Sequence, residues 1–213
     1  MKSKFLLPAV LIGVFALSRI PGLMPSNFSV AYAFAFCAGV YFPRRLVWWL
    51  PFSVMLATDI GLNFYWQHQG YPVWDPPDLA NLFFNYVAYA VLIFLGTRFK
   101  PQTSLVKLTG GGLLGAILFY LITNTASWLF NPFHNPEYTK NLAGWIIALT
   151  KGIGGYPSTW EFFRNTLMSG GLFTALFAAG AKLTAESPAD KTAGAREPKA
   201  EPEAEAETEE AKA

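Results

Sequence analysis

Nine residues set in apolar surroundings carry the chemistry this chain is equipped for. They are Arg19, Asp59, Asn63, Asn81, Asn85, Asn124, Trp128, Arg164 and Asn165. Cations, a carboxylate, amides and an indole recognise a solute through ion pairs and hydrogen bonds. No covalent machinery accompanies them. The chain contains no HExxH, GxSxG, paired CxxC or GxxxxGK[ST] pattern, so zinc peptidase, hydrolase, redox-pair and P-loop chemistry lack support. Lys151-Gly152-Ile153-Gly154-Gly155 is a glycine turn without the phosphate-loop lysine and hydroxyl. His68 and His134 fall in different loops and lack companions for a metal site, and Cys37 within AFAFCAGV reads as a small hydrophobe. The sequence therefore points to binding, with no enzyme activity, no metal and no cofactor.

The elements that position these groups are membrane helices. Of 213 residues, 53% are hydrophobic and only 14% charged, against roughly 25% in ordinary globular chains. Five acids face twelve Lys and Arg in residues 1–185, a balance of +7, whereas 186–213 hold nine acids and four bases, a balance of −5. A membrane span needs roughly 20 mainly apolar residues. Six spans are expected, at 4–20, 28–42, 46–66, 80–97, 108–130 and 160–182. The second is short and ends at Pro43, which implies tilt, partial re-entry or shielding by neighbours. The first is read as a retained helix, because SRIPGL offers no small-x-small cleavage site. Lys2, Lys4, Arg44, Arg45, Arg98, Lys100, Lys107 and Lys182 share one side if both termini are cytoplasmic. The expected fold is thus an all-α, N-in/C-in bundle over 1–185, followed by a disordered acidic cytoplasmic tail over 186–213.

Depth along these spans groups the polar residues. Asp59 lies seven residues before Trp66, about 10 Å below the outer end of span three. Asn63 is one turn above it. Arg19 ends span one, Asn81 and Asn85 begin span four with Tyr89 a turn deeper, Asn124 and Trp128 end span five, and Arg164 and Asn165 begin span six. Five spans therefore place their strongest polar groups in the outer half. A charge in lipid costs about 2.5–3.5 kcal/mol on insertion scales, so such groups must face partners or water. They are expected to line an outward-facing cavity, with Arg19 or Arg164 as counter-ion for Asp59. Aromatic residues crowd the same side, and NLAGWIIALTKGI in the long loop 131–159 could lie across the cavity as a lid. Taken singly, each polar residue could instead bond helices together.

Four runs carry a resemblance: SRIPGLMPSNFSVAYAFAFCAGVYF, LPFSVMLATDIGLNFY, TNTASWLF and FFRNTLMSGGLFTALF. In this order, over roughly residues 5–182, they resemble a family of bacterial membrane proteins of unknown function that itself looks like the substrate-binding S components of energy-coupling factor vitamin transporters. Gly170-Gly171 depart from the family pattern, which has an acidic residue there. The resemblance implies a multi-pass protein of the bacterial inner membrane that takes up a small, vitamin-like organic solute. It also implies docking of an ATP-hydrolysing module through small residues of the first helix, to which Ala9-x-x-x-Gly13 is similar. The expected partners are the solute, the lipid bilayer and that energy-coupling module, with no nucleic acid. A membrane scaffold, with structural polar contacts and a partner-recruiting tail, is the alternative. A membrane enzyme using Asp59 as acid–base group comes third.

Overall fold

In a computed structural model, residues 6–155 and 157–184 are described. Lys2, Lys4, Tyr156 and the acidic stretch 186–213, with the disorder expected of it, lie outside them. The fold is all-α. The described residues form seven helices: α1 (Leu6–Ser18), α2 (Ala31–Tyr41), α3 (Trp49–His68), α4 (Pro76–Gly96), α5 (Leu105–Phe130), α6 (Leu142–Thr150) and α7 (Thr159–Leu183). All of them belong to one unit, Met1–Leu183.

Local sequence explains most helix ends. Asp75 and the Pro76-Pro77 pair open α4 four residues before the expected 80, because proline is pre-set for the first helical turn and has no amide to leave unpaired. Ser104 caps α5 by accepting from the Lys107 amide at 3.4 Å, and Asn141 caps α6 by accepting from the Gly144 amide at 3.0 Å. Asn131 ends α5 in the left-handed conformation at φ 43°, with its amide donating to the Ser127 carbonyl.

The short second segment is the centre of the molecule. Every residue of α2 except Gly39 and Tyr41 is buried, among α1, α3, α4, α5 and α7. A helix that is apolar all round belongs in an interior, and α2 is built of alanines, aromatics and Cys37. Of the three explanations for its shortness, shielding by neighbours is the one observed. Phe34 stacks on Phe15 of α1, with centroids 4.6 Å apart, and Phe36 meets Phe99 edge-on at 5.2 Å. On the α4 side the backbones themselves touch. A Cβ at Gly39 would overlap the Ile93 carbonyl oxygen, and one at Gly96 would overlap the Phe36 carbonyl oxygen. Only glycine permits that approach.

α4, α5 and α7 are long and apolar enough to cross a membrane. Over the described residues α1 and α2 run 13 and 11 residues, short of the roughly 20 that a span needs. α3 has 20 residues, but Asp59, Asn63, Gln67 and His68 lower its hydropathy. The exterior carries apolar stripes such as Phe83, Val87 and Phe94 on α4 and Met168, Leu172 and Leu176 on α7. Water-soluble bundles put their polar residues on that face.

The glycine contact makes a specific prediction. Gly39→Val and Gly96→Val are each expected to lower stability by at least about 1–3 kcal/mol, the usual cost of overpacking. Gly61→Ala meets open space and is expected to change stability by less than about 0.5 kcal/mol. Thermal unfolding of the three purified variants in one detergent checks this. An equal loss at Gly61 would remove the backbone contact as the cause.

Candidate functional site

One end of the bundle encloses a cavity of about 1000 Å³. Its walls come from the 19–29 segment after α1, α4 from Asp78 to Tyr89, the last half of α5 and the first turns of α7, with α2, α3, the loop at 131–138 and Gly152, Ile153 and Pro157 completing it. On α4, Asp78, Asn81, Asn85 and Tyr89 fall at helical spacing and all line the cavity. On α5, Tyr120, Thr123, Asn124 and Ser127 do the same. Arg19, Asn27 and Ser29 enter from the 19–29 segment, while Trp66, Phe119 and Phe162 supply aromatic wall. Arg19 and Asp78 are the charged lining residues; the rest of the polar lining is amide and hydroxyl.

The charge beside the cavity is held by α3, α4 and the segment that follows α1. Arg19 Nη2 donates to Asp59 Oδ1 in an ion pair, and the Tyr86 hydroxyl donates to Asp59 Oδ2 at 2.9 Å. Both carboxylate oxygens are thereby occupied, and Asp59 itself does not line the cavity. Arg19 does, and its Nε is buried with no hydrogen-bond partner among the described residues. A buried donor without a partner is uncommon and calls for a bound group or water. Asp59 thus holds and orients Arg19, and Arg19 presents the charge. Of the two arginines considered as counter-ion, Arg164 is exposed on α7, outside the lining.

Four of the nine sequence-selected residues line the cavity together: Arg19, Asn81, Asn85 and Asn124. Asn124 also donates its amide to the Tyr120 carbonyl at 2.9 Å, which leaves its side-chain oxygen toward other partners. Asn63 is half-buried one turn from Asp59 and outside the lining. Trp128 and Asn165 serve the loops: the Trp128 indole donates to the Thr139 carbonyl at 2.7 Å, and Asn165 donates to the Ser26 carbonyl at 2.9 Å. Tyr86, Tyr120 and Asp78 were not among the residues the sequence singled out. The Asp78-Asn81-Asn85-Tyr89 spacing was a usable signal for Asp78, whereas nothing local marks Tyr86 as the second donor to Asp59.

The apolar helix expected to lie as a lid is present as α6, but its flanking loops line the cavity and the helix does not. α6 is fastened to α5: Trp145 Nε1 donates to Thr125 Oγ1 at 3.0 Å, and the Tyr120 hydroxyl donates to the Leu149 carbonyl. Lys140 adds bonds of 2.6 Å to the Trp128 and Leu129 carbonyls, closing the end of α5. Tyr138 stands at the rim outside the long helices. Burial raises its phenol above the ordinary value, its bond with Asn135 opposes the rise, and Glu137 adds to it.

A family model described as a family of unknown function (DUF6580) matches residues 1–192. No curated protein and no solved structure matches the chain.

The Arg19–Asp59 pair has a measurable signature. Its side chains are 24% and 13% exposed, so solvent screens it only in part. Asp59→Leu alone strands the Arg19 charge, while Arg19→Met with Asp59→Leu removes both charges. The double variant is expected to be more stable than Asp59→Leu, with a coupling of about 1–3 kcal/mol in a double-mutant cycle read by unfolding in detergent. Simple additivity would mean the pair does not act as one.

Proposed function

The chain belongs to DUF6580, a family of unknown function, and we propose that it is a substrate-binding membrane transport protein for a small organic solute. The observation that carries this reading is the cavity of about 1000 Å³, in which Arg19, Asn81, Asn85 and Asn124 converge between aromatic walls. Small-molecule sites occupy about 300–1,000 Å³ and combine apolar walls with a few placed polar groups. Amides and hydroxyls, with Arg19 offset by Asp59 and with Asp78 at the wall, suit a solute without net negative charge that has a ring system and several hydrogen-bonding groups. That chemistry is consistent with a vitamin-like compound.

In this reading the bundle crosses the bacterial inner membrane six times, using α1, α2, α3, α4, α5 and α7, with α1 and α2 completed by their flanking turns. The distribution of charge supports an outward-facing cavity. α4 runs from Asp78 at the cavity to Arg98 and Lys100 beyond its far end, about 30 Å away. Basic residues gather on the cytoplasmic side of membrane proteins. The carrier resemblance supports the same direction of movement, and an energy-coupling module would supply ATP hydrolysis, since the chain has no phosphate loop.

A membrane scaffold is the second reading. It is favoured by Asp59, Trp128 and Asn165, whose polar atoms bond within the chain.

Two measurements decide between them. Mass spectrometry of small molecules released from gently solubilised protein is expected to find one enriched compound, reduced at least tenfold in Asn85→Leu. In cells carrying Cys37→Ser with Asn85→Cys, an impermeant thiol reagent added outside is expected to label position 85, and the compound to slow that labelling. An empty cavity together with no labelling from outside would leave the scaffold reading standing.

A further inference from the structure

At the other end of the bundle a second cavity, of about 690 Å³, is lined by Arg44, Arg98 and Lys100 and walled by Trp48, Phe94 and Phe99. It sits between the turn that precedes α3 and the segment that follows α4. No acidic residue lines it, and no salt bridge among the described residues engages its cations. The described carboxylates belong elsewhere. Asp75 and Asp78 open α4, Glu137 follows α5, Glu161 opens α7, and Asp59 is held by Arg19.

Local structure accounts for only part of this positive charge. The carbonyl end of α4 carries about half a negative unit, which one cation answers. Arg98 lies there and also stacks over Phe94, 4.4 Å from the ring centroid. Trp48, at the N-terminal boundary of α3, provides no side-chain cap, so the positive end of that helix adds to the same rim. The cavity therefore keeps a net positive charge of at least about two units with nothing in the described protein to meet it.

We propose that this cavity binds the phosphate headgroup of an anionic phospholipid. Arg44 before α3 and Arg98 and Lys100 after α4 are exposed beyond the helix ends, and basic residues next to membrane helices on the cytoplasmic side suit such headgroups. The walls select a lipid over a soluble phosphate: Trp48 and Phe94 line the cavity and are also 41% and 51% exposed, so they offer apolar surface to acyl chains beside the cations. Arg98 and Lys100 contact the phosphate, Arg44 closes it from the opposite side, and Trp48 sits at headgroup level as interfacial tryptophans do. This inference rests on the chain lying in a membrane with this end cytoplasmic, and does not depend on the solute reading.

Native mass spectrometry of the full chain in mild detergent tests it, with lipids titrated in and bound copies counted. Phosphatidylglycerol is expected to bind in preference to phosphatidylcholine. Arg44→Gln and Lys100→Gln are each expected to weaken it by about fivefold, the effect of one cation near an anionic lipid. Arg45→Gln, one residue from Arg44 but outside the lining, is expected to leave it unchanged. Equal binding of the two lipids overturns the proposal, as does a loss at Arg45 matching that at Arg44, which would show diffuse surface charge. Displacement of the lipid by equimolar inorganic phosphate overturns it in favour of a soluble ligand. If a variant unfolds, the unaltered protein still decides: added salt is expected to release phosphatidylglycerol and leave phosphatidylcholine in place.

Discussion

An eleven-residue helix is only about 16 Å long, and α2 can stand at the centre of this protein because five helices enclose it. Its alanines let neighbours approach, and its phenylalanines fill the gaps between them. The polar site depends on this arrangement. With α2 filling the middle, α4, α5 and α7 pack around it, and their polar ends meet at one level beside the 19–29 segment. The apolar surface those three helices turn outward is what allows polar groups to be concentrated inside.

Within that frame, charge is handled in two different ways. Asp59 and Arg19 neutralise one another beside the cavity, with Tyr86 completing the carboxylate's hydrogen bonds. A lone Asp59 facing hydrocarbon would be costly to bury, whereas the pair places one guanidinium at the cavity with a donor to offer. At the opposite end the cations have no such partner. The molecule is thus polar and nearly neutral at one end and basic at the other.

Much of the helix layout was legible in the sequence, because apolar runs, capping residues and prolines act locally. Ser104, Asn141 and the Pro76-Pro77 pair each mark a helix start within a few residues, although the prolines read as loop and so hid the first turn of α4. The Asn81–Asn85 stripe was legible for the same reason. What could not be read were choices made across helices. Asp59 had two candidate arginines, and only packing brings Arg19 to it. Tyr86 is one aromatic among many until α3 and α4 lie side by side. The helix at 142–150 was visible as an apolar segment, but its place was decided by Thr125, Tyr120 and Leu149 on facing elements.

Where Gly39 meets Gly96, two helices are joined backbone to backbone, with no side chain between them to change rotamer. Such a joint leaves no side chain to rearrange where the C-terminal ends of α2 and α4 meet. A displacement of Asn81 or Asn85 that tilted α4 would be felt about 20–26 Å along the helix, at the residues around Arg98. Any coupling along this path would run through packed backbone, without a relay of side chains at the joint.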